Sequence, residues 1–421
     1  MRKQLTAITL SLPVVPLIFL VPLQKLEYKE LSPPECRLEK WKLPTSSQIK
    51  NQKERSPLIP IKSPFPCCQS DNSCQDWQLW GKNNQPADKK ALLSAIAHSL
   101  QYLETSGADA AYKQSRVPGV TRDRVLHSLQ RFRQLLLKSR SPDELNAAIS
   151  REFVFYQSVG HDKQGKVLFT AYYEPIYTAS RFPTAEYRYP VYRLPPNFDS
   201  WQKPHPTRLD LEGNDGLQGT IGKLQGLGLF WFRDRLEPYL AQIEGSARVE
   251  LPDGTQTAIG YAGNTAYTYK SIGRELAKDG KLPLAGMTMP ILLDYFQQHP
   301  QALNVYIPRD PSFVFFQENK GAPAQGSIKE PLTAERSIAT DKSLMPPGAL
   351  ALIHTSVPFV NVDGKIEDRV VSRYVLDQDT GGAIKGAGRV DYFLGTGKVA
   401  GDRAGVTVSN GNLYYLLLKH T

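Results

Sequence analysis

A chain of 421 residues with 41% apolar and 22% charged side chains has the composition of a globular protein and the length for two or three domains. Its 32 prolines, 31 glycines and 20 tyrosines point to turns and β-structure and away from a helical bundle. The 51 basic and 41 acidic side chains leave a formal charge of +10, which suits an anionic polymer or surface. No basic run with interleaved aromatics and no zinc-finger spacing occurs, so nucleic acid is not an expected partner.

The first element is MRKQLTAITLSLPVVPLIFLVPLQK, a basic start at Arg2 and Lys3 followed by an uncharged apolar run from Leu5 to Leu23. This is the layout of an export signal or an N-terminal anchor, and residues 1–30 are assigned to it. Pro13, Pro16 and Pro22 argue against a straight core helix. Residues 31–84, rich in Pro, Ser, Lys and Gln, read as a tether. All four cysteines, Cys36, Cys67, Cys68 and Cys74, fall in it, and their even count suits disulfides in an exported chain.

Three helices are predicted next. Leu92, Leu93, Ile96, Leu100 and Leu103 recur at helical spacing in the first. Thr121 is the expected N-cap of the second, ahead of Val125, Leu129, Phe132 and Leu136. In the third, Ser141, Pro142 and Glu144 stand where a cap, a first helical residue and a capping-box acid belong. From Val167 the texture turns to strands: VLFTAYYEPIYTAS, YRYPVYRLPP, and ARVELPDGTQTAIGYAG with a hairpin turn at Asp253-Gly254. Leu282 to Gln298 is again helical in pattern. SFVFF, GALALIHTSVPFV, RVVSRYVLDQD, RVDYFLG and LYYLLLK then read as strands separated by glycine turns.

The seven histidines are scattered, with no paired metal-ligand spacing, and no G-x-S-x-G elbow is present. GGAIKGAGR lacks the hydroxyl and the following helix of a phosphate loop. What remains is carboxylate chemistry. Asp379 and Asp391 flank a glycine-rich excursion between two strand-like runs, and alternation should put Asp391 on the face of Phe393 and away from Tyr392. A carboxylate among apolar groups loses hydration and its pKa rises, as a general acid requires. An aspartate beside glycine more commonly caps a turn, so the texture alone leaves both readings open.

Longer motifs narrow this. SIATDKSLMPPGALALI, VLDQDTGGAIKGAGRVDYFLGTG and AGDRAG resemble the three-aspartate (3D) domain, whose aspartates would be Asp341, Asp379 and Asp391. FTAYYEPIY, QIEGSARVELPDG, IGYAGNTAYTYKSIGREL and DPSFVFF, in this order, resemble the MltA-type membrane-bound lytic murein transglycosylases. The resemblance implies a mainly β protein with helices (α+β): a double-psi β-barrel domain with an inserted second β-barrel and a glycan groove between them. The larger domain would take residues 85–180 and 310–421, with the 3D domain at about 335–421, and the inserted substrate-binding domain residues 181–309.

It further implies Asp391 as the lone catalytic residue, with Asp379, Asp341 and Lys385 organising the site. The two other aspartates would help raise the pKa of Asp391, and Lys385 would oppose them. Tyr172, Tyr173, Glu174, Tyr261, Gly263, Asn264 and Tyr267 are the expected substrate-binding residues. No metal and no organic cofactor is expected. The expected partner is the peptidoglycan glycan strand, met by a monomer in the periplasm or cell envelope, with membrane association through the N-terminus. Enterobacterial members carry a lipid-bearing cysteine directly after the signal; here Cys36 is the first, beyond a charged stretch. The implied reaction is cleavage of the β-1,4 bond between N-acetylmuramic acid and N-acetylglucosamine with formation of a 1,6-anhydro end. The alternatives are a non-catalytic wall-binding module on a membrane tether and an aspartate-dependent hydrolase that uses water.

Overall fold

The computed structural model describes residues 56–61, 75–81 and 86–419. The expected signal or anchor and the four cysteines lie outside them. Among the described residues no helix is long and apolar enough to cross a membrane.

A short strand, β1 (Leu58–Ile61), precedes four helices: α1 (Lys89–Leu103), α2 (Ser106–Lys113), α3 (Arg122–Lys138) and α4 (Pro142–Glu152). The caps are those the sequence offers. Thr121 Oγ1 accepts from the Arg124 N–H and Ser141 Oγ from the Glu144 N–H, each satisfying a donor that the first helical turn leaves open. The box at α4 is shifted by one residue, since Glu144 Oε2 accepts from the Arg140 N–H at 2.7 Å. The buried face of α1 is Leu92, Ala95, Ile96, Ser99, Tyr102 and Leu103; Leu93 and Leu100 are only half-buried at its margin.

β2 (Phe153–Ser158) and β3 (Val167–Glu174) begin the first sheet, and β10 (Ser337–Ala339), β11 (Leu350–Val360), β12 (Ile366–Asp379), β13 (Arg389–Thr396) and β14 (Val408–Leu418) complete it. The order is β1-β2-β14-β11-β12-β10-β13-β3, and β14 also pairs with β3. Six strands therefore close into a ring, with β2 and β1 added outside on β14. Two of its ladders are parallel, β10 with β12 and β13 with β3. These features make it the expected double-psi barrel. Its interior and the apolar faces of the helices form one core that includes Phe132, Phe169, Leu352, Val375, Val390 and Tyr415.

The chain leaves this barrel at Pro175 and builds a second one. β4 (Ile176–Ser180), β5 (Tyr189–Tyr192), β6 (Gly228–Phe232), β7 (Ser246–Glu250), β8 (Gln256–Asn264) and β9 (Val314–Glu318) run in the order β5-β6-β4-β7-β8-β9. A bridge between Arg193 and Phe316 joins the two ends. Phe230, Phe232, Val249, Ile259 and Phe316 fill it. By strand pairing, β4 belongs to this barrel, and so does β9, so the exchange points lie outside the expected 181 and 309. The texture of VLFTAYYEPIYTAS is continuous, and only Pro175, which cannot donate to a ladder, marks the change of sheet.

The longer helices that serve the second unit or the junction are α5 (Leu236–Glu244), α6 (Ile272–Lys278) and α7 (Met289–Gln298); α8 (Lys398–Ala404) follows β13. The helix expected from Leu282 begins only at Met289. Pro283 and Gly286, whose φ of 73° no helix accommodates, keep the preceding residues in turns.

The segment before α1 is held to the first barrel by charge. Arg336, fully buried, donates to Asp88 at 2.6 Å, to the Tyr374 carbonyl at 2.7 Å and to the buried Asp76. Asp76 also accepts from the Tyr374 N–H at 2.9 Å and pairs with Arg373 at 3.3 Å. Burial alone would raise the Asp76 pKa, but the two arginines outweigh it and hold the carboxyl below its ordinary value. Removing Arg336 leaves the Asp76 charge short of its main partner. Arg336→Ala is expected to cost about 3–5 kcal/mol of stability, measured by chemical denaturation.

Candidate active site

Asp391 stands on β13 opposite Thr170 of β3 and Ala339 of β10. Alternation puts Asp391 and Phe393 on one face, as expected, and their β3 neighbours on that face are Thr170 and Tyr172. Thr170 Oγ1 donates to Asp391 Oδ1 at 2.6 Å, and the Tyr172 ring packs on Phe393 with centroids 5.2 Å apart. Among the described residues Thr170 is the one hydrogen-bond partner of Asp391. The carboxyl is half-buried, with part of its surface still open. Loss of hydration disfavours the anion and pushes the Asp391 pKa above the ordinary carboxylate value; the Thr170 hydroxyl and the Arg389 charge act against this without cancelling it.

The other two aspartates are bound more heavily. Asp379, at the end of β12, accepts from the Tyr172 hydroxyl on Oδ2 and from the Ser327 and Thr380 N–H groups on Oδ1, each at 2.8 Å. Burial still leaves its pKa raised. Asp341 accepts from the Gly386 N–H at 2.8 Å, from the Ser343 N–H at 3.1 Å and from Ser343 Oγ at 2.7 Å. Burial would raise the Asp341 pKa, but these bonds and the Lys385 charge outweigh it and hold the carboxyl below its ordinary value.

The expected electrostatic division therefore changes. Burial raises the pKa of Asp391, and neither neighbouring aspartate contributes. Lys385 is exposed and acts on Asp341, whereas the cation that acts on Asp391 is Arg389. Between Asp379 and Asp391 the backbone needs two of its glycines for stated reasons. Gly386 has φ of 83°, in the left-handed region, where its N–H meets Asp341. At Gly388 a Cβ would lie 2.2 Å from the His161 backbone nitrogen. A cavity of about 280 Å³ behind the 341 turn is lined by Tyr112, Arg116, Lys342 and Pro347 among others, and none of the three aspartates lines it.

The expected binding residues divide into two groups. Tyr172 and Tyr173 lie on β3 beside the aspartates, and the Tyr173 N–H donates to Glu244 at the end of α5 at 3.2 Å. Glu174 is 1% exposed; its Oε2 accepts from Arg248 at 2.9 Å and from Thr396 at 2.8 Å. It serves the junction between the barrels and does not face open space, because β3 turns it inward just before Pro175. Tyr261, Gly263 and Asn264 lie on β8 with Tyr267 just beyond, and among the described residues no hydrogen bond joins them to the aspartates. The Tyr261 hydroxyl donates to Asn264, the Tyr267 hydroxyl to the His205 carbonyl, and Gly263 makes room for Leu194. The Tyr261 side of this group is open, at 53% exposure.

Thr170, Arg389, Glu244 and Tyr269 are site residues that the sequence reading did not single out. All four lie inside the motifs quoted above, and the period-two relation of Thr170 to Tyr172 is the signal that could have found the first. Tyr269 reaches the site from the inserted unit: a Cβ on Gly382 would lie 3.9 Å from the Tyr269 Cβ.

Thr170→Val tests the electrostatics directly. The hydroxyl donates to the anion, so its loss lets Asp391 keep its proton to higher pH. A carboxyl-carbon NMR titration is expected to show the Asp391 midpoint moved upward in the variant, with Asp341 unmoved.

The geometry can be set beside known proteins. The MltA specific insert domain model matches residues 168–317, and the 3D domain model residues 336–417. Membrane-bound lytic murein transglycosylase A of Vibrio cholerae is 33% identical over 264 residues, covering 62% of this chain and 68% of the relative. The Escherichia coli (strain K12) protein of the same name is 31% identical over 263 residues, with the same shares covered. Among solved structures, Escherichia coli MltA with bound chitohexaose matches with a TM-score of 0.60 at 25% identity, covering 84% of this chain and 98% of that one. The chain belongs to the membrane-bound lytic murein transglycosylase A family.

Proposed function

We propose that this protein is a lytic transglycosylase that cleaves the β-1,4 bond between N-acetylmuramic acid and N-acetylglucosamine in peptidoglycan, with Asp391 as acid and then base. The observation that carries the assignment to Asp391 is its half-buried carboxyl with a raised pKa and a single hydrogen-bond partner. It is the one aspartate of the three free to give up and recover a proton. Asp379 is fixed by three hydrogen bonds, and Asp341 is held ionised by its partners. Both therefore organise the loop.

Protonated Asp391 donates to the glycosidic oxygen as the bond to the muramic acid C1 breaks. The C6 hydroxyl of the same sugar attacks C1, and the Asp391 carboxylate accepts its proton. The products are an N-acetylglucosamine end with a free 4-hydroxyl and a 1,6-anhydromuramic acid end, and Asp391 is again protonated. The nucleophile is part of the substrate, so no second carboxylate and no water is needed, and its position supplies much of the rate advantage. Tyr172, Tyr173, Tyr261 and Tyr267 offer rings or hydroxyls to the sugars, with Tyr261 the most open of the four.

Asp391→Asn keeps size and removes the transferable proton. Release of anhydro-ended fragments from purified sacculi is expected to fall about 100-fold or more, while chitohexaose binding persists. Near-normal turnover in this variant, or reducing ends from the parent enzyme, would sink the mechanism. Reducing ends would point to a hydrolase, and no cleavage at all to a binding module.

The substrate fixes the compartment. The run from Leu5 to Leu23 is proposed to carry the folded part to the cell envelope, where it works as a monomer tethered at its N-terminus. Fractionation is expected to recover the protein with membranes or periplasm; recovery from the cytosol would contradict this.

A further inference from the structure

The conspicuous acid that this mechanism leaves unused is Glu244. It is the last residue of α5, a helix of the inserted barrel, followed by Gly245 in the left-handed C-cap conformation with φ of 78°. The C-terminal end of a helix presents unpaired carbonyls and partial negative charge, the wrong environment for a carboxylate. No arginine or lysine among the described residues pairs with Glu244. Its Oε2 accepts one hydrogen bond, from the Tyr173 N–H at 3.2 Å, where the β3–β13 register shifts after Phe393. Its Oε1 has no partner among the described residues, and the side chain is half-buried. The titratable groups that face it are Tyr173, Tyr172 and Tyr177 from β3 and β4, Tyr269 from the inserted unit, and Asp391 from β13.

We propose that Glu244 is a hydrogen-bond donor to the glycan, gripping a sugar oxygen from the inserted barrel while Asp391 works from the other barrel. The ligand group it selects is a hydroxyl or amide oxygen of an N-acetylhexosamine. Glu244 meets β3 at the Tyr173 N–H and Asp391 meets it at Thr170, three residues apart, so the two acids contact different points of that strand. Burial, aided by the Asp391 charge and opposed by the Tyr173 N–H, pushes the Glu244 carboxyl up to about 8. At neutral pH the proton needed for donation is therefore in place. Above this value the anion faces ligand oxygens with nothing to donate. The four tyrosines all titrate higher than their ordinary value and do not contribute in this range.

This inference rests on the glycan reading of the site, and binding separates it from the chemistry. In the full chain with Asp391→Asn, which removes the other titrating carboxyl and with it one cause of the raised Glu244 pKa, chitohexaose binding by calorimetry is expected to weaken about ten-fold between about pH 6 and pH 9. Adding Glu244→Gln, which donates at every pH, is expected to flatten this profile, and Glu244→Ala to weaken binding throughout. The proton can also be read without ligand. A folded pKa above the unfolded one contributes stability fully present below the unfolded value and lost as pH rises through the folded value. Glu244→Gln is expected to remove this decline up to about pH 8. Parallel binding profiles with and without Glu244→Gln, or Glu244→Ala binding as tightly as Glu244→Gln at pH 7, would overturn the proposal. Loss of chitohexaose binding by the otherwise unaltered Asp391→Asn protein would instead overturn the glycan reading on which it rests.

Discussion

The parallel ladder between β13 and β3 is the constraint on which the rest depends. It closes the first barrel, sets Thr170 against Asp391 and Tyr172 against Phe393, and delivers the chain to Pro175, where the second barrel begins. A slip of one residue in this register would turn the Asp391 face inward and replace it with Val390 or Tyr392. Both of those side chains are buried in the barrel, at 0% and 1% exposure, so the core itself pins the register. The position of the acid is thus a by-product of packing that would be required anyway.

Three aspartates, close in space and alike in sequence texture, are sorted by their partners. All three lose hydration. Asp341 recovers more than it loses, through two backbone N–H groups, a hydroxyl and a nearby lysine. Asp379 recovers part of it through three donors. Asp391 has one donor and the Arg389 charge, which together do not offset its lost hydration. Hydrogen-bond supply, more than depth, separates an ionised brace from a proton carrier.

Local signals were legible and distant ones were not. Thr121 and Ser141 mark helix starts because a cap is a matter of three adjacent residues. The strand texture and the aspartates of the 3D motif were equally plain. Leu282 to Gln298 misled because apolar spacing persists through Pro283 and Gly286 while the backbone does not follow it. Glu174 looked like a site residue by its neighbours, yet its partner Arg248 comes from another barrel. Thr170 and Glu244 gain their meaning from β13 and β3, and no window of sequence contains both sides of either contact. The family resemblance, carried by motifs from Val167 onward, supplied what local reading could not, a reason to prefer Asp391 as the proposed acid, though not the groups that set its electrostatics.

The insertion of one barrel within another also orders their assembly. For a chain that emerges from its N-terminus, all six strands of the second barrel exist before β10 does. That barrel can complete its ladders while β3 still lacks β13 and β14. During this interval β3, with the aromatic sequence VLFTAYYE, offers two unpaired edges to any other extended segment. Its long-range partners make closure of the outer ring the late and slow event. The finished inner barrel draws Pro175 and Glu318 together and so shortens the loop that the outer ring must close. The strand that bears Thr170 is thus both the pivot of the finished site and the segment left waiting longest for its neighbours.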